Sequence, residues 1–196
     1  MDSISHTRVG TFLLNYVEES TGVAFDAKAF LYGNLKPDLT GTYLTKRHYP
    51  SLMFEEVMDK IRAFSAGYEI GAENGRSLSV DLGEICHYIT DFFCFPHNDD
   101  IYHYCLLRHY IYEKRIAAGL KHRLTYEKFL TWVAEAPQIR TVEDLIAYLK
   151  SEHEAYRAAD RHGIQDDLEH ICRVTVCVVI ALIHACGVRN AEPAIA

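Results

Sequence analysis

The sequence has no excess of basic charge: 20 Lys and Arg stand against 27 Asp and Glu, a formal net charge of −7. That argues against a nucleic-acid-backbone surface of the usual basic kind. It has no paired-cysteine scaffold either. Cys86, Cys94, Cys105, Cys172, Cys177 and Cys186 fall inside apolar helical patterns and read as buried free thiols in a reducing compartment. No export segment is visible, because Met1-Asp-Ser-Ile-Ser-His lacks a basic start and the apolar stretch at 12–17 is short. The longest apolar run, 174–183, is far below the ~20 residues of a membrane span and predicts a buried core helix. There is no alternating run long enough for a strand, no repeat and no low-complexity tract. What remains is the expectation of a soluble, cytoplasmic protein with one domain over residues 1–196. The 49% apolar and 24% charged composition suits that reading.

What is present is helix after helix. Ser5 caps a predicted helix over 6–20, and a short one from Asp26 stops at Gly33-Asn34. Residues 35–50 read as a long loop. Ser51 opens a helix to about Ala72, Ser77 the next, and Asn98 with Asp99 and Asp100 another that runs to about Gly119. Segments 125–136, 141–159 and 165–186 complete an all-α chain of about seven to nine helices.

The stretch from Leu82 to Glu113 organises the rest. His87 and Asp91 are four residues apart, as are His109 and Glu113, so each pair lies on one helix face with Cβ atoms about 5–6 Å apart. Pro96 ends the first helix and leaves His97 at the corner between the two. Imidazole and carboxylate with little thiolate is a donor set for zinc and other first-row metals. The loop before His48 is long enough to need a function, and it carries Asp38 and His48. His6 begins the first helix. His103, His122, His153, His162, His170 and His184 lack matching partners and read as structural, and the chain beyond residue 113 reads as packing. Tyr32, Tyr43 and Tyr49 lie near enough to the ligand loop to line a substrate pocket.

In order, His6, Gly33-Asn-Leu-Lys-Pro-Asp38, Arg47-His48-Tyr-Pro, His87-x3-Asp91-x5-His97 and His109-x3-Glu113 resemble the zinc ligands of bacterial zinc-dependent phospholipase C. The wider superfamily includes zinc-dependent single-strand nucleases. The resemblance covers roughly residues 5 to 115 and implies an all-α fold holding two or three zinc ions. It implies one zinc on Asp38, His48, His87 and Asp91, a second on His97, His109 and Glu113, and a third on His6 with Asp91 as a shared bridge. Three divalent ions would bring the formal charge from −7 to −1. Family members are typically secreted, and their processed N-terminal residue binds the third zinc. Here Asp2 predicts that Met1 is retained, and the sequence leaves open whether its amino group takes that place.

The resemblance implies phosphodiester hydrolysis, with Asp91 bridging two metals and Asp38 assisting water deprotonation. A zinc-bound water can have its pKa lowered to ~7. The expected substrate is a small phosphodiester or phospholipid-like molecule; a nuclease-like phosphodiesterase and a non-catalytic metal-binding descendant are the alternatives. A di-metal carboxylate bundle would use Glu-x-x-His rather than His-x3-carboxylate. An HD-type phosphohydrolase needs an adjacent His-Asp, which the chain lacks.

Overall fold

The computed structural model describes residues 1–40, 47–122 and 124–187. Among them are eight α-helices: α1 (Ser3–Thr21), α2 (Ala27–Leu39), α3 (Pro50–Gly67), α4 (Arg76–Phe92), α5 (Leu106–His122), α6 (Tyr126–Val133), α7 (Val142–Ala158) and α8 (Ile164–Ala185). The all-α expectation holds, with one small addition. Ala24–Phe25 and Glu73–Asn74 pair in parallel, too short to show as an alternating pattern. Asn74 Nδ2 donates to the Ala24 carbonyl at 2.9 Å and closes that contact.

Local chemistry sets most of the helix starts. Asp2, Asp26, Thr125 and Thr141 accept from backbone N–H groups of their own first turns. The first helix is therefore capped by Asp2 rather than Ser5. Pro50 occupies the first turn of α3, where its missing N–H costs nothing. That helix ends at Gly67, five residues short of the expected Ala72.

Two expectations fail for physical reasons. The helix from Asp26 does not stop at Gly33-Asn34; it runs through Pro37 to Leu39, so residues 35–39 of the expected loop at 35–50 are helical. Gly33 is a packing glycine. A Cβ there would lie 2.0 Å from the Val80 carbonyl oxygen, and one on Gly83 would lie 2.1 Å from that of Phe30. The two helices touch backbone to backbone, and α2 is held by α4 beyond its local stop signal. Pro37 removes one hydrogen bond only two residues before the end. Residues 41–46, with Tyr43, lie outside the described residues.

The second failure is at Asn98, which opens no helix. Its side chain turns inward: Nδ2 donates to the carbonyls of Phe92 and Cys94, each at 3.1 Å, and Oδ1 accepts from His153 Nε2 at 2.8 Å. Asn98 thus closes the end of α4, and α5 begins only at Leu106. Cys105 is consequently exposed, unlike the buried thiol expected, and Cys186 is half-buried; all six cysteines are free.

One hydrophobic core runs from Met1 and Val9 through Phe92 and Phe93 to Ile183. Its centre is α8, which packs against α1, α4, α5, α6 and α7. By length and composition this 22-residue helix could cross a membrane, with a mean hydropathy of 1.7 over its most apolar window. It is the one such helix among the described residues, and 67% of that window is buried inside the fold. The apolar run at 174–183 is therefore the core helix the sequence implied, though the helix around it is longer than the run.

Candidate metal centre

Four helices and two connecting segments bring all eight sequence-selected residues to one place. α1 carries His6, α2 carries Asp38, the segment before α3 carries His48, and α4 carries His87 and Asp91. A single 3-10 turn, Phe95–His97, supplies His97, and α5 supplies His109 and Glu113. Three groups have donor atoms within 4.8 Å of one another: His6–His87–Asp91, Asp38–His48–His87, and His97–His109–Glu113. The third is the expected second set. The other two divide the expected first and third sets differently, with His87 common to both.

Asp91 stands between the groups. It is 1% exposed, and its two oxygens face different partners. Oδ1 lies 3.3 Å from His6 Nε2 and accepts from the Met1 amino group. Oδ2 lies 3.4 Å from His87 Nε2, 3.4 Å from His97 Nδ1 and 3.6 Å from His48 Nδ1. Burial would favour its neutral form, but the electrostatic interactions with His97, the amino terminus, His87 and His6 outweigh that and hold it well below the usual carboxylate range.

The hydrogen-bond pattern fixes two tautomers. His87 Nδ1 is 2.9 Å from the Asn34 carbonyl, which can only accept, so Nδ1 carries the proton and Nε2 offers a lone pair. Thr90 donates its hydroxyl hydrogen to the His87 carbonyl at 2.7 Å, so its oxygen accepts from His6 Nδ1 at 3.1 Å. His6 Nε2 then also offers a lone pair. The His6 lone pair faces Asp91 Oδ1, an arrangement that repels unless a cation lies between, whereas His87 Nε2 lies 3.1 Å from His48 Nδ1 as well as near Asp91 Oδ2. His6 Nε2, Asp91 Oδ2, His48 Nε2, His97 Nδ1 and His109 Nδ1 are buried with no hydrogen-bond partner among the described residues. A cluster of buried, unpartnered nitrogen and carboxylate atoms fits a divalent metal, and outer partners such as Asn34 and Thr90 are what orient such ligands.

The amino terminus joins the same cluster. The Met1 nitrogen is buried, 3.2 Å from His97 Nε2 and 3.7 Å from Glu113 Oε1. Burial alone would favour the neutral amine; Asp91, with Cys94 and Glu113, overrides it and raises the pKa to about 11.

The centre is open on one side. His6 and His87 are fully buried, whereas the Asp38 side chain is 30% exposed, with His109 and Glu113 at 17% and 19%. Burial and the nearby Asp91 raise the Asp38 pKa. Burial lowers His97 to about 4, so it stays neutral. Glu113 is held below its usual range because the hydrogen bond from His109 and the nearby His97 and amino terminus outweigh its burial. Tyr49 is buried beneath Arg47, and Tyr32 is exposed on α2.

Beyond residue 113 the chain is not only packing. Asp167 on α8 and His153 on α7, both buried, bond to the corner that carries His97. Neither lies in a motif, and only the order of the fold makes them neighbours of the site. His103, His122 and His184 are exposed.

No curated protein and no solved structure matches the chain. A family model described as zinc dependent phospholipase C matches residues 5–163, well past the last candidate ligand. With the ligand order, an all-α fold and the convergent donor atoms already in place, that match makes the chain a member of the zinc-dependent phospholipase C family.

Proposed function

We propose that the protein is a zinc-dependent phosphodiester hydrolase whose zinc ligands are His6, Asp38, His48, His87, Asp91, His97, His109 and Glu113. The observation that carries this reading is the sealed Asp91 carboxylate, with imidazoles of separate groups facing its two oxygens. A carboxylate so placed would hold metal from both of its oxygens. Zinc bound here would acidify water and take up charge building on phosphoryl oxygens.

The chain's own residues then have distinct tasks. Asn34 and Thr90 hold His87 and His6 in the tautomers that present Nε2 inward. Asp91 cannot reach solvent, whereas Asp38 can, so Asp38 is the general base that accepts the proton of the attacking water. His109 and Glu113 line the more open group, where a substrate phosphate oxygen has access. For a chain beginning at Met1, the amino group is a further ligand shared with Asp91. Two or three zinc ions per chain and a small phosphodiester or phospholipid-like substrate complete the reading.

Asp91→Asn tests it. In the metal-free chain the variant leaves the buried amino terminus without its carboxylate, a cost of about 3–5 kcal/mol. In the loaded chain it removes a direct ligand, so turnover on a phosphodiester panel falls at least ~100-fold, the upper end of what outer partners contribute. Metal analysis on the same samples, with a chelated control, completes the measurement. Full metal content with near-normal turnover in Asp91→Asn overturns the assignment.

A further inference from the structure

A single buried carboxylate outside the family-matched span ties together the two segments that carry His97 and Glu113. Asp167, in the first turn of α8, is fully buried. Its Oδ2 accepts from the backbone N–H of Phe95 at 2.9 Å and from the Tyr112 hydroxyl at 2.9 Å. Its Oδ1 accepts from the Tyr156 hydroxyl of α7 at 2.8 Å. Phe95 opens the 3-10 turn that ends on His97, and Tyr112 directly precedes Glu113 on α5. One oxygen atom therefore joins the turn bearing His97 to the helix bearing His109 and Glu113.

Apart from the candidate ligands and the Met1 amino group that touches His97 and Glu113, no other polar connection among the described residues spans those two segments. Phe95 and Tyr112 also touch ring to ring, with centroids 5.9 Å apart, but that contact is tilted and apolar and allows sliding. Two hydrogen bonds on one carboxylate oxygen do not. Residues 98–105 between the segments form turns and bends with no helix to hold the spacing. α4 and α5 both pack on α8, so a group fixed on α8 is a common reference for both.

We infer that Asp167 is a positioning residue that sets the separation of His97 from His109 and Glu113, and so the geometry of that metal-binding group. This rests on the reading of the three residues as zinc ligands. Asp167 touches none of them and acts through Phe95 and Tyr112. Its loss should loosen one group of the centre while leaving the His6–His87–Asp91 and Asp38–His48–His87 groups intact, since those are held by Asn34, Thr90 and the α2–α4 contact.

The experiment is titration of the metal-free full chain with zinc and with cobalt(II), whose visible absorption reports ligand geometry. His109→Ala first identifies which bound equivalent belongs to this group. Asp167→Asn and Tyr112→Phe are then compared with Tyr156→Phe, which removes a donor only from the other oxygen. Asp167→Asn and Tyr112→Phe should weaken the equivalent marked by His109→Ala about 10–100-fold, the range for partners that orient ligands, and shift its cobalt spectrum. The remaining equivalents should bind as before. Tyr156→Phe should lower the unfolding temperature with a smaller change in that affinity. Should Asp167→Asn fail to fold, Tyr112→Phe, which deletes a single hydroxyl, decides the matter. Folded variants with unchanged affinity and spectrum overturn the positioning role and leave the zinc reading standing. A His109→Ala chain that loses no equivalent overturns both.

Discussion

The imidazole of His87 and the backbone carbonyl of Asn34 are joined by a 2.9 Å hydrogen bond between α4 and α2. That bond decides which nitrogen of His87 faces the centre. It exists because Gly33 and Gly83 let the two helices meet backbone to backbone. The route from sequence to site here passes through a glycine pair rather than through any ligand.

Gly33→Ala should therefore damage the centre without touching a donor atom. Its new Cβ would lie 2.0 Å from the Val80 carbonyl oxygen, a backbone atom that cannot swing aside. We expect a loss of about 3 kcal/mol, at the high end of overpacking costs, together with weaker metal binding. Thermal unfolding with and without zinc measures both. An alanine variant as stable and as tightly metallated as the parent would show that the helices separate freely.

The amino terminus gives a second prediction. The buried Met1 nitrogen contacts Asp91, His97 and Glu113, so acetylating it removes both a cation and a donor atom. Acetylation should release one zinc equivalent in graded dialysis against a mild chelator, and His6→Ala should release the same one. Equivalents that leave together, with no dependence on either change, would remove His6 and Met1 from the ligand set.

Acid behaviour of the metal-free chain provides a third. Burial lowers His153 to about 4, so its contribution to stability is lost as pH falls from its ordinary 6.5 toward 4, where the unfolded chain takes the proton first. Burial raises Asp167 from 3.8 to about 6, so its contribution is lost in the opposite direction, as pH rises through 6. Between pH 4 and 6 the two slopes oppose each other, each at most about 1.4 kcal/mol per pH unit. Relative to the parent, His153→Gln should gain stability as pH falls and Asp167→Asn should gain it as pH rises. Urea unfolding across pH 4–7 reads the differences, and parallel curves for parent and variants would contradict them.

Much of this protein is local and was legible as such. Candidate ligand pairs four residues apart need only a helix to converge, so His87 with Asp91 and His109 with Glu113 follow from spacing. Thr141 caps its helix where expected, because a cap is a bond between near neighbours. The apolar run at 174–183 reads as a core helix, and it lies at the centre of the core.

Tertiary structure decided what depends on distant partners. Whether Gly33 stops a helix or packs one depends on Val80, and whether Asn98 caps a helix or closes one depends on His153. The division of donors into groups, with His87 common to two, follows from how α1, α2 and α4 cross. The burial of the Met1 nitrogen and the bonds to Asp167 join residues that sequence order keeps far apart. Periodicity and capping report interactions a few residues long. The close approach of two backbones, and the choice of which buried polar group answers which, are settled only when the helices pack.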